Sequence, residues 1–151
     1  MTTKDQLTQQ QWDILIHAPL GVWLGVSGCD PFVGSLEREF EAFGEAARLL
    51  AQRYGENELV VTVLAVAARP TEAQRKGRAT VDLAEVLAGL RRVGEVLGSL
   101  PAQQEAAGFK RCLLDFGDKI ARATSEAVVD TRATVSQAEE DFLRKARAAL
   151  G

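Results

Sequence analysis

Two cysteines, Cys29 and Cys112, a single histidine, His17, and aromatic residues at 6% are all the chain holds of these types in 151 residues. Two cysteines this far apart do not form a disulfide framework. One histidine excludes zinc sites that need two and nucleophilic dyads that need a spare. Basic residues do not outnumber acids: 18 against 21 leaves a net charge of −3, without the positive footprint of a nucleic-acid binder. The basic cluster Arg69, Arg75, Lys76 and Arg78 lacks interleaved aromatics. The most apolar run, Leu59 to Ala68, is 10 residues long and includes Thr62. A bilayer span needs roughly 20 apolar residues, so this run reads as a core segment and no transmembrane segment is expected. Gly21, Gly25 and Gly28 are spaced by 4 and 3, with no following lysine and no preceding strand, so they do not make a phosphate loop. Met1 to Gln6 carry no apolar signal region, and a reduced, cytoplasmic protein is the expectation.

What is present is apolar material, 46% of the residues, enough for one core and one domain over 1–151. Most of it recurs at helical spacing. Leu36, Phe40, Phe43, Ala47, Leu50 and Tyr54 step by 4, 3, 4, 3 and 4 behind Ser35 as N-cap, with Gly55 as the stop. Leu83, Val86 or Leu87, Leu90, Val93, Leu97 and Leu100 follow Thr80 as N-cap and end at Pro101. Pro101 also suits the first turn of the next helix, whose apolar face is Phe109, Cys112 or Leu113, Phe116, Ile120 and Ala123. Ser136 and Glu139 form a capping box for a last helix burying Phe142, Leu143, Ala146 and Leu150. On that helix Glu139, Glu140 and Asp141 read as a solvated acidic face above Arg144, Lys145 and Arg147.

At the other end, Asp5 to Ala18 reads as a helix with Leu7, Trp12, Leu15 and Ile16 inward. It is broken at Ala18–Pro19, because the residue before proline avoids helical angles. Pro19 to Ser27 is a second piece, in which Gly21 and Gly25 permit a neighbouring backbone to pack beside Trp23. Leu59 to Val66 is rich in β-branched residues but has no partner strand, and it reads as a buried helix. The expected fold is an all-α bundle of about seven helices, in halves 1–68 and 80–151 joined by a polar linker, 69–79.

The halves share a pattern: Val33-x-x-x-Glu37-x-Glu39-Phe40 matches Val135-x-x-x-Glu139-x-Asp141-Phe142. Valine seals the loop onto the core, glutamate caps the helix and phenylalanine anchors it. The segment from Ala18 to Asp30, followed by Val33 and Glu37, resembles the TerB-like helical domains, named for a tellurite-resistance protein. Their hallmark is an Asp-Gly-x-Ile/Val-x-x-x-Glu loop after a helix of small and apolar residues. Phe109-Lys110 and Ala149-Leu150-Gly151 resemble the second half of that pattern. The chain departs from it at Pro31, in place of the loop glycine, at Gly34, where a second acid is usual, and at Arg132, on the second loop's aspartate position.

The resemblance implies a non-enzymatic binding or scaffold module in a tellurite or metal stress response. Its partner would be a protein or a second copy of the chain, as a homodimer. It also implies acidic interhelical loops linked to divalent metal, which makes a metal sensor the alternative reading. The candidate ligands are Asp30 and Glu37, and in the second loop Glu126, Asp130 and Glu139, with Arg132 as a competing cation. A calcium-type site needs several converging oxygens, so capping is the expected role of these acids, with no cofactor. A zinc site from Cys29, Cys112, His17 and Asp30 is a weaker option. A small-ligand enzyme would need a pocket lined by His17, Asp30 or Cys29. His17, just before Ala18–Pro19, is expected to close a helix end with its imidazole on the last carbonyls.

Overall fold

The computed structural model of the chain describes residues 4–29, 36–72, 81–126 and 137–151. These form a helical bundle, with no strand among the described residues. After a 3-10 turn, Lys4–Gln6, come α1 (Gln9–Ile16), α2 (Ala18–Cys29), α3 (Leu36–Arg53) and α4 (Glu58–Val66). Beyond the 69–79 region follow α5 (Leu83–Gly98), α6 (Gln103–Glu126) and α7 (Gln137–Leu150).

The sequence of α2, APLGVWLGVSGC, has no charged face, and a helix apolar all round must be buried. Accordingly α2 runs through the bundle against α1, α5, α6 and α7, with Val22, Trp23 and Val26 fully covered. The long helix α6 packs against α2 on one side and α3 and α4 on another. Its stripe Phe109, Cys112, Leu113, Phe116, Ile120 is buried as the spacing predicts. Phe116 meets Phe43 of α3 edge to face, with ring centroids 5.0 Å apart. Segment 59–66 is helical: Asn57 caps it, and Leu59, Val60 and Val63 enter the core.

Several boundaries differ from the sequence expectation. The first α-helix begins at Gln9, not Asp5, because Thr8 and Gln11 form a reciprocal capping box. It ends at His17, whose carbonyl already accepts from Gly21 N at 3.0 Å, so Pro19 falls inside the first turn of α2 rather than at a break. Proline is tolerated there because no intrahelical acceptor awaits its missing N–H. Asp82, not Thr80, caps α5, accepting from the amides of Ala84 and Glu85. Leu83, at the first helical position, is consequently 37% exposed instead of buried. Arg53 ends α3, and Gly55 closes the turn without a left-handed φ, its amide donating to Gln52 O at 3.2 Å.

The caps proposed at Ser35 and Ser136, residues 73–79 of the linker, and the Val33 and Val135 ends of the repeat lie outside the described residues, as do the side chains of Leu36, Phe40 and Ala123. Glu139 is not part of a solvated face. It is 1% exposed, because Glu139, Phe142, Ala146 and Leu150 step by 3, 4 and 4 and share the inward stripe of α7. Glu140 is exposed, and Asp141 accepts from Gln137 and Arg144.

Three glycines seat α7. A Cβ on Gly25 of α2 would lie 2.0 Å from Phe142 Cζ, one on Gly117 of α6 would lie 2.5 Å from Leu143 Cδ2, and one on Gly94 of α5 would lie 2.6 Å from the Leu150 carbonyl oxygen. The last helix therefore enters notches on three different helices, with the Phe142 and Leu143 side chains over two of them and its own backbone, at the Leu150 carbonyl, over the third. The neighbour expected at Gly25 was a backbone; it is an aromatic ring.

Candidate functional site

A groove of about 1160 Å³ runs between α1 and α2 on one side and α5 on the other. Its floor is apolar: Ile14, Leu20, Leu24, Val86 and Leu90, with Gly21 and Gly89 between them. Ile14, Leu24 and Val86 remain half-buried, so an apolar strip faces solvent. The floor has this composition because the stripes of α1 and α5 are wider than their mutual contact. Trp12 and Leu15 complete the core on α1, and Val93 and Leu97 on α5, which leaves Ile14 and Val86 at the seam.

The walls are polar. Asp13 accepts from Gln9 Nε2 at 2.9 Å, Glu85 lies in the first turn of α5, and Arg92 stands two positions past Leu90. His17 lines the groove at the end of α1, with Nδ1 2.7 Å from Asp13 O. It closes the helix end as its position predicts.

A second cleft, about 760 Å³, lies where the end of α3 and the Tyr54–Asn57 turn meet the start of α6. Three of its polar residues, Tyr54, Asn57 and Glu105, are committed to the fold. Asn57 Oδ1 accepts from Val60 N at 3.1 Å, and its Nδ2 donates to Glu105 O at 3.0 Å. The Glu105 carboxylate accepts from Leu59 N at 3.4 Å, at the positive end of α4. Tyr54 Oη donates to Asp115 at 2.6 Å, and Arg53 stands 3.7 Å from the same carboxylate. This cleft clasps α4 to α6.

Burial and the Asp115 carboxylate push the Tyr54 hydroxyl up to about 12. Burial first, and Asp115 second, push the Cys112 thiol up to about 12 as well. A thiol activated for nucleophilic or redox chemistry is shifted the other way. Both groups ionise more readily in the unfolded chain, which then holds fewer protons than the native state. Stability is therefore full below the unfolded thiol value and falls as pH rises from about 9 toward 12. With Cys29 replaced by serine, Cys112 is expected to resist iodoacetamide at pH 8 and to react at once in denaturant. Mass spectrometry of the native protein reads this, and rapid native alkylation would refute the burial.

The residues singled out by sequence are not brought together among the described residues. Asp30, Asp130 and Arg132 lie outside them, as do the side chains of Cys29, Glu37 and Glu126. Glu139 lies in the core stripe of α7, Cys112 in that of α6, and His17 at the groove. Among the described residues no three of histidine, cysteine, aspartate and glutamate gather where they could hold a metal ion. No described helix is long and apolar enough to cross a membrane.

The groove is not legible in the helix stripes. The spacing that puts Leu7, Trp12, Leu15 and Ile16 inward does not include Ile14, and the available signal is Gly89, a glycine inside the strong helical pattern of α5. Comparison of the chain with models of known protein families, with curated proteins and with solved structures returns no match.

Proposed function

We propose that the chain is a non-enzymatic helical binding or scaffold module of the TerB-like kind, holding a protein partner in the α1/α2/α5 groove. The setting is the tellurite or metal stress response that the resemblance implies. The observation that carries the reading is the half-buried apolar strip Ile14, Leu24 and Val86 between polar walls. An apolar strip rimmed by polar residues marks an interaction surface, since water is displaced from it at a gain. The paired Val–Glu–Phe patterns belong to the same reading, as two anchors of one helical plan of about seven helices. The well-seated Phe142 supports this for the second copy.

The test is photo-crosslinking in the cells that make the protein. A benzophenone amino acid at Leu24, in the groove floor, is expected to give a discrete protein adduct. The same group at Glu140, on the exposed side of α7, is expected to give none. Equal labelling at both positions, or no adduct at Leu24, would count against the binding-module reading.

A further inference from the structure

We infer that the groove takes a basic amphipathic helix of about three turns, presented by a partner protein. The inference rests on the binding-module reading above and names the chemistry of its partner.

Shape is the first argument. Along α5 the lining runs from Asp82 to Val93, three turns or about 16 Å at 1.5 Å per residue. On the other wall it runs from Gln9 on α1 to Leu24 on α2. A trough of this length, open along one side, does not enclose a small molecule, but it matches a helix laying residues i, i+4, i+7 and i+11 into it.

The glycines are the second. Gly25, Gly94, Gly108 and Gly117 are each met by a neighbour at 2.6 Å or less from the position a Cβ would take. Gly21 and Gly89 are not: the nearest atoms stand 4.0 Å away, Leu90 Cδ2 for the first and the Arg92 guanidinium for the second, and of the open glycines these two lie inside their helices, whereas Gly98 ends α5. Each weakens its helix relative to alanine, and the packing of this chain does not require it. Both open into the groove floor, where the missing side chains let a second backbone approach closely.

Charge selects the occupant. Asp13, Asp82 and Glu85 line the groove against Arg92. The Asp82 carboxylate is spent on the N-terminus of α5, whereas Asp13 has only the neutral Gln9 amide on its carboxylate among the described contacts, and Glu85 is exposed. The surplus is negative. It favours lysine or arginine flanking the apolar face of an incoming helix and disfavours acidic helices and anionic membranes.

Three labelled peptides of about four turns test this. They share one leucine face and carry lysine, glutamine or glutamate beside it, and binding to the full chain is read by fluorescence anisotropy. The lysine peptide is expected to bind at least about tenfold more tightly than the glutamate peptide at low salt, the gap closing toward 1 M, where charges a few ångströms apart are screened. Asp13→Lys with Glu85→Lys, both at exposed positions, is expected to reverse the order. Gly89→Leu, which fills the floor, is expected to weaken the lysine peptide about tenfold with an unchanged circular dichroism spectrum.

Equal binding of all three peptides would overturn the basic partner while leaving a binding groove. No binding by any peptide would overturn both readings. Binding that ignores Gly89→Leu would place the peptide elsewhere and overturn the site. A dimer that Gly89→Leu converts to monomer would assign the groove to a second copy and overturn the partner.

Discussion

Phe142→Ala is expected to destabilise the protein by about 3–5 kcal/mol. The ring is 2% exposed and lies over Gly25, so its removal leaves a void whose floor has no side chain to relax into it. Lost transfer energy and an uncollapsed cavity then add. Domains are stable by only about 5–15 kcal/mol, so the loss takes a large share of the total. Because Phe142 fixes α7 against α2, α7 is the element expected to loosen first. Urea unfolding with an unchanged m-value measures the effect. A loss under about 1 kcal/mol would mean that α7 does not depend on this seat. The repeat reading predicts a similar loss for Phe40→Ala, so a large cost at one phenylalanine and none at the other would break the proposed equivalence.

The parts of the fold legible in the sequence are those recorded in the residue pattern of a single segment. The stripe of α6 from Phe109 to Ile120 follows from its 3.6-residue period, and its buried residues are the expected ones. Segment 59–66 could be read as helix because a strand needs a partner and the chain offered none. His17 could be placed because a helix-end imidazole has local acceptors, and Asp13 O is one. Sequence pattern and structure part where two local signals compete. Thr8 was hidden by the polar run Gln9, Gln10, Gln11, whose last member completes the capping box. Thr80 and Asp82 are both good caps, and the structure uses the one next to Leu83. At Glu139 charge and phase disagree: a carboxylate suggests a solvated position, yet the spacing to Phe142 and Ala146 puts it on the buried stripe.

The candidate site was less legible, for a reason that is physical. A groove is the space left between helices distant in sequence, here α1 and α2 against α5, and no local pattern records it. Acidic residues near helix starts are no substitute for such a pattern, because a helix N-terminus attracts carboxylates for its own stability. Glu105 illustrates this: it sits at the start of α4 from 46 residues away in sequence. The surer guide is a residue with a local cost and no local use. By that measure Gly21 and Gly89 stand out: Gly98 is as open but ends its helix, where glycine costs little, and Gly25, equally costly in isolation, is explained by Phe142.

That distinction gives the second large effect, since Gly21 and Gly25 lie one turn apart on α2 and should respond oppositely to alanine. In an unconstrained helix each change would gain up to about 1 kcal/mol, because alanine is the better helix former. At Gly21 the added methyl meets nothing nearer than 4.0 Å, so a gain of about 0.4–1 kcal/mol is expected. At Gly25 the methyl would lie 2.0, 2.3 and 2.5 Å from three atoms of the Phe142 ring, so the ring must leave its seat. Overpacking of this kind costs about 1–3 kcal/mol, and displacing the ring forfeits part of its burial as well. The clash therefore outweighs the propensity gain, and Gly25→Ala is expected to cost about 2–4 kcal/mol. The cause can be isolated by a cycle with Phe142→Leu, whose shorter side chain leaves room for the methyl. The double variant should be more stable than the sum of the single losses predicts, by about 1–3 kcal/mol of coupling. Additive losses would show that Gly25→Ala acts on α2 itself, and the account of α7 docking into glycine notches would have to be abandoned.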